Sequence, residues 1–181
     1  GRLAPSAGNL QNWKFILSTT PEQKHELAES CVQQWWMEKA PLIITIVAEP
    51  EKAAQYYGIR GERLYSIQNC ALAAENMMLM AHSLGLGTCF VAAFDEYRIN
   101  NILGLPENIR PQCLITVGYS DEKPPKQQKF TLENLTYFGE WRNRIKDMNA
   151  TAGYTADKVQ NAIKKGKEFL KNIAKPKKKK D

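Results

Sequence analysis

Between residues 64 and 84 the chain repeats small or apolar residues at steps of three and four: Ile67, Cys70, Ala71, Ala74, Met77, Met78 and Ala81. That period predicts one long helix with an apolar face. Gly85 and Gly87 follow it and end it. Its alanines allow close approach by another helix or a second subunit, and the methionine pair reads as core filler, because Met adapts to irregular gaps. Around this helix, short apolar runs read as strands at Trp13–Ser18, 41–48, 88–93 and 112–119. Another helix opens at Pro21, with Thr20 as N-cap, and is expected to run to about Trp36. A shorter one covers 95–103 and is stopped by Gly104-Leu105-Pro106. Residues 49–63, polar apart from Tyr56-Tyr57-Gly58, read as a mobile lid or a helix-containing connection. Helical periodicity returns over 154–174. Strands alternating with helices imply a layered, mixed α/β architecture.

Composition narrows the function classes. With 181 residues and 43% hydrophobic content, the chain can bury a proper core as about one domain. The net charge of +6 is local: residues 151–181 carry ten Lys against Asp157, Glu168 and Asp181, while fifteen basic residues face sixteen acidic ones before them. The body therefore offers no nucleic-acid-binding face, and the lysine-rich tail reads as solvated or as a contact for nucleic acid or an acidic partner. The longest near-continuous apolar run, 40–48, is too short for a bilayer, and no charged-then-apolar leader precedes the first strand, so the expectation is a cytoplasmic protein. Cys31, Cys70, Cys89 and Cys113 form no Cys-x-x-Cys pair and have no histidine at ligand spacing. No metal site is expected, and the thiols read as small buried hydrophobes. His25 and His82 are isolated, and neither is assigned a catalytic role.

The segment Arg2-Leu3-Ala4-Pro5-Ser6-Ala7-Gly8-Asn9-Leu10-Gln11-Asn12-Trp13 gathers small residues, amides and an arginine just before a strand. Pro5 restricts the backbone, and Gly8 and Asn9 tolerate left-handed dihedrals, so backbone N–H groups are expected to point outward at a ligand. Ser6, Asn9 and Gln11 add directional hydrogen-bonding groups. Such a loop is a ligand cradle or an elaborate turn.

Three further motifs bear on that choice: Ala73-Ala74-Glu75-Asn76-Met77-Met78-Leu79, Gly85-Leu86-Gly87-Thr88-Cys89-Phe90-Val91-Ala92-Ala93, and Gly104-Leu105-Pro106 with Val117-Gly118-Tyr119. Together, and in this order, they resemble the FMN-dependent nitroreductase family over about residues 2–145. The resemblance implies an α+β fold, a three-layer α/β/α arrangement with a central mixed, largely antiparallel sheet flanked by helices. It also implies a homodimer with FMN at the interface. Arg2 would then contact the phosphate or ribityl chain, Pro5, Ser6 and Ala7 would line the cofactor, and Asn9 and Gln11 would hold the loop and the edge of the site. Backbone N–H groups of Ala92 and Ala93 would face N5 and O4 of the flavin ring, and Lys129, or else Lys126, would grip the phosphate. Three positions depart from the family pattern: Asn12 stands for Pro, Phe90 for Trp and Asn69 for Asp. The pattern also has a helix and a short basic segment upstream of the loop, so a processed or truncated form with weakened FMN binding is expected.

Chemistry of this family implies hydride transfer from NAD(P)H through flavin N5 to nitroaromatic, quinone or similar electron-poor acceptors in a ping-pong cycle, the cofactor doing the chemistry and no side chain serving as nucleophile or base. The alternatives are a flavin-binding or regulatory protein with little turnover, and tail-mediated binding. The expected organisation is a flavin-binding domain over 1–148 and a basic C-terminal helix and tail over 149–181.

Overall fold

The computed structural model describes residues 1–122, 124–143, 161 and 163–168. Two compact units result, Gly1–Lys123 and Pro124–Asp181.

In the first unit β1 (Trp13–Ser18), β2 (Leu42–Ala48), β3 (Gly87–Val91) and β4 (Arg110–Gly118) form one sheet in the order β1-β2-β4-β3. Each described pairing is antiparallel. Strand alternation divides the apolar side chains between two faces. Trp13, Phe15, Ile44, Ile46, Cys113, Ile115 and Val117 face α3 (Ser66–Ser83), which brings down Cys70, Ala73 and Ala74. Ile43, Val91 and Leu114 face the other way, under Leu27 and Ala28 of α1 (Pro21–Ser30), Met37, and Ile99 of α4 (Glu96–Leu103). Helices thus cover both faces of an antiparallel sheet, which is the three-layer α+β architecture expected from the sequence. No helix among the described residues is long and apolar enough to cross a membrane.

Several elements differ from the sequence reading. α1 ends at Ser30, not Trp36, because Val32 and Gln33 turn left-handed (φ 57° and 56°) and a short 3-10 turn, Trp35–Lys39, follows. Lys24 secures that return: its Nζ donates to the Glu38 and Ala40 carbonyls at 3.1 and 2.7 Å. Residues 49–63 are largely helical: α2 (Pro50–Arg60) bends at Gly58 and passes through a single π turn, Gly61–Tyr65, into α3. The buried side of α3 is Ser66, Asn69, Cys70, Ala73, Ala74 and Ala81, whereas Ile67 and Ala71 point outward. Cys89 is exposed on β3. The other three thiols are buried, and burial pushes Cys31 up to about 11 and Cys70 and Cys113 up to about 12.

The second unit contains α5 (Leu132–Leu135) and an edge-on Tyr137–Trp141 ring pair with centroids 4.9 Å apart. Of the helix expected over 154–174, residues 161 and 163–168 are described, and they are helical. The rest of it, the tail over 175–181 and the expected boundary at 148/149 lie outside the described residues.

Candidate functional site

The loop preceding β1 lies against the start of α3. Ala4 and Trp13 are buried in the same cluster as Ala73 and Ala74, so both ends of the loop are pinned to the core. Between them the chain makes a 3-10 turn at Ala7–Asn9, with Gly8, Asn9 and Gln11 at φ 54°, 56° and 47°.

Four of the amides expected to face a ligand are instead bonded within the protein. Ala7 N–H donates to Asn69 Oδ1 (3.0 Å), Asn9 N–H to the Ser6 carbonyl (2.9 Å), Leu10 N–H to the Ala7 carbonyl (3.1 Å) and Gln11 N–H to Ser6 Oγ (3.0 Å). These four donors are satisfied before they can be offered to a ligand. The Ser6 hydroxyl, having accepted from Gln11, keeps its own proton for donation. Gln11 Nε2 donates to the carbonyl and to Oδ1 of Asn9, both at 3.2 Å, bracing the far side.

Beneath the loop runs a buried polar relay that sequence reasoning missed. Asn69 Nδ2 donates to Asn12 Oδ1 (2.7 Å), Asn12 Nδ2 donates to Ser66 Oγ (2.9 Å) and to the Glu49 carbonyl (3.2 Å), and Ser66 Oγ donates to the Gly61 carbonyl (2.9 Å). Asn12, Asn69 and Ser66 are only 0%, 3% and 1% exposed. Buried amides persist when each is hydrogen-bonded, as these are. The sole signal in the sequence was that Asn12 and Asn69 both departed from the family pattern. Gly61 is dictated by packing, since a Cβ there would run into the Ala53 carbonyl oxygen.

Pro5, Ser6 and Ala7 form one wall of a groove of about 600 Å³, and Tyr65, Gln68, Asn69, Ala71 and Leu72 form the other. Its lining is apolar with a few convergent polar groups, the usual make-up of a small-molecule site. Tyr57 lies against Gly8, where a Cβ would stand 2.5 Å from its hydroxyl oxygen, and it meets Tyr65 edge-on at 5.2 Å. Arg60 Nε donates to the Tyr65 hydroxyl at 3.0 Å.

The remaining candidates are dispersed. Arg2 is exposed. Ala92 and Ala93 follow the end of β3 and are exposed. The strand directions put them at the same end of the sheet as the loop, but on the opposite edge. Three strand spacings separate the two edges, about 14 Å. Two residues on, Asp95 caps α4 by accepting from Arg98 N–H at 3.1 Å, and its own N–H donates to the Ser30 carbonyl at 2.9 Å. Lys126 and Lys129 are exposed residues of the second unit.

Comparison with known proteins agrees with this architecture. A provisionally named NADH dehydrogenase/NAD(P)H nitroreductase of Archaeoglobus fulgidus is 31% identical over 126 residues, covering 67% of this chain and 69% of that protein. An NADH dehydrogenase of Thermus thermophilus is 28% identical over 166 residues, covering 77% and 80%. The solved structure of an FMN-dependent nitroreductase from Clostridium difficile R20291 superposes with a TM-score of 0.64 at 27% identity, covering 77% of this chain and 82% of that one. The model of the nitroreductase family matches residues 1–42 and 32–119, the whole sheet with the loop and its groove, and the chain accordingly belongs to the nitroreductase family.

Proposed function

We propose that this protein is an FMN-dependent NAD(P)H oxidoreductase acting on nitroaromatic, quinone or similar electron-poor acceptors, and that it works as a homodimer. The observation that carries the reading is the groove between the Pro5–Ser6–Ala7 wall and the start of α3, about 600 Å³ in volume and mostly apolar. A flat aromatic ring with a polar edge fits such a space, because the apolar walls take the ring and the Ser6 hydroxyl supplies a donor at its rim. The names borne by the relatives support the same cofactor and reductant. When bound, FMN supplies the redox chemistry, hydride arriving from NAD(P)H and leaving to the acceptor in alternate half-reactions.

The protein's part is binding and orientation. Pro5, Ser6 and Ala7 line the ring, Asn9 and Gln11 stiffen the loop, and Arg2 with Lys129 or Lys126 neutralises the phosphate. The N–H groups of Ala92 and Ala93 meet the ring edge that gains charge on reduction, where fixed peptide donors are effective because they need no reorganisation. The separation of the loop from Ala92 across the sheet supports a two-fold dimer in which the loop of one protomer completes the site of the other. The apolar side chains that α3 leaves exposed, Ile67, Leu72, Leu79 and Met80, suit a subunit contact. Purified protein should show the visible absorption of bound flavin, oxidise NAD(P)H when menadione or a nitroaromatic is added, and sediment as a dimer. Purified protein that takes up no added FMN and oxidises no NAD(P)H would overturn the reading.

A further inference from the structure

We infer that Asn69, held by Asn12, is a positioning residue that clamps the Ser6–Ala7 peptide and thereby presents the Ser6 hydroxyl to the groove; this rests on the flavin reading of that groove. The polarity of the relay is fixed at both ends. The Glu49 carbonyl can only accept and the Ala7 N–H can only donate, so Asn12 must turn Nδ2 to Glu49 and Oδ1 to Asn69, and Asn69 must turn Nδ2 to Asn12 and Oδ1 to Ala7. Asn12 Nδ2 also donates to Ser66, whose own proton goes to the Gly61 carbonyl. Position 69 must therefore accept and donate at once, which an amide does and a carboxylate does not.

The consequence reaches the groove through the backbone. Ser6 is extended, at φ −141° and ψ 152°, and the peptide that follows it is the one whose N–H Asn69 holds. With that peptide fixed, Ser6 Oγ stays at 3.0 Å from Gln11 N–H and keeps its remaining proton for a ligand on the Pro5–Ser6–Ala7 wall. Asn69 acts on the ligand through Ser6.

The test is a double-mutant cycle read by FMN fluorescence titration, together with amide hydrogen exchange at Ala7. Asn69→Ala and Ser6→Ala should each weaken FMN binding about tenfold, the size of one lost hydrogen bond. The double variant should be no weaker than Ser6→Ala alone, because a positioning effect vanishes with the group it positions. A double variant about a hundredfold weaker than wild type would show independent effects and overturn the proposal. The Ala7 amide should be protected from exchange in the wild type and lose that protection in Asn69→Ala, which removes the Oδ1 that accepts its N–H. Rapid exchange in the wild type, or unchanged protection in Asn69→Ala, overturns the clamp, and neither measurement requires bound flavin. Failure of wild-type protein to bind FMN overturns the flavin reading, and with it the ligand role of the clamp, whatever the exchange data show.

Discussion

Two turns in the first unit bend the backbone left-handed and hold it there by different means. Over α3, residues 8, 9 and 11 sit at φ 54°, 56° and 47°; after α1, Val32 and Gln33 sit at 57° and 56°. Gly8 and Asn9 enter that region readily, whereas a β-branched valine does so at a cost of about 1–2 kcal/mol. The first turn is anchored by buried side-chain amides, Asn69 to Ala7 and Asn12 to Glu49. The second is anchored mainly by backbone: Gln33 and Gln34 N–H donate to the Glu29 and Ala28 carbonyls, and Asp95 N–H reaches the Ser30 carbonyl from the end of another strand connection. Where the residues suit the conformation, a few side chains can specify its position. Where they do not, contacts from several elements must impose it.

Removing one anchor from each turn should separate these two modes, and Asn12→Ala should give the largest effect of any change considered. It strands Asn69 Nδ2 and takes the Asn12 donor from Ser66 in a site closed to water. Unfolding in urea should show a loss of about 3 kcal/mol, since each buried group left unpaired costs about 1–3 kcal/mol. The counterpart after α1 is Gln34→Ala, which removes one half-buried bond to the Cys31 carbonyl. It should cost less than about 1 kcal/mol. Comparable losses would mean that side chains specify both turns.

That asymmetry also decides what the sequence reveals. β1 is recovered to the residue and α4 to within one, because Pro, Gly and Asp mark the ends of apolar runs. The early stop of α1 was illegible: Cys31-Val32-Gln33-Gln34 contains no glycine or proline, and the bond that takes the Ser30 carbonyl comes from Asp95, far along the sequence. The groove was legible as a loop rich in Pro, Ser, Gly and Asn, but its floor was not. Asn69 lies in a helix period as one polar residue among several, and only the fold brings it within 2.7 Å of Asn12, 57 positions earlier. The helical period also misassigned the face of α3, because the relay pulls Ser66 and Asn69 inward and leaves Ile67 outside.

Opposite substitutions at the left-handed positions should move stability in opposite directions. Gly8→Ala adds a Cβ at φ 54° and 2.5 Å from the Tyr57 hydroxyl oxygen, and should lower stability by about 2 kcal/mol. Val32→Gly relieves a strained valine that is 71% exposed, so little packing goes with its side chain. Relief of about 1–2 kcal/mol, offset by the greater freedom of glycine in the unfolded chain, leaves a gain of up to about 1 kcal/mol. Thermal denaturation of both variants beside wild type is sufficient. A loss at Val32 would mean that the second turn needs its side chain after all.

Acid should distinguish the turns by the smallest margin. The relay under the first consists of Asn12, Asn69 and Ser66, none of which titrates. The second is docked through Asp95 onto the start of α4, and there Arg110 donates twice to Glu96, at 2.7 and 2.8 Å. Hydrogen bonding from Arg110 holds the Glu96 carboxyl below its ordinary 4.5, against a smaller opposing effect of burial. A carboxyl lowered on folding contributes stability that is complete above its unfolded value and disappears as pH falls through the folded one. Arg110→Gln should therefore be less stable than wild type at pH 7, by less than about 1 kcal/mol because the pair is largely exposed, and the gap should narrow progressively below about pH 4. Urea unfolding of the two proteins at pH 7, 4 and 3 reads that gap directly. A gap that stays constant down to pH 3 would show that the ion pair does not brace α4, leaving the Asp95 to Ser30 bond, the Arg98–Glu29 ion pair and the Lys24 contacts to hold the second turn.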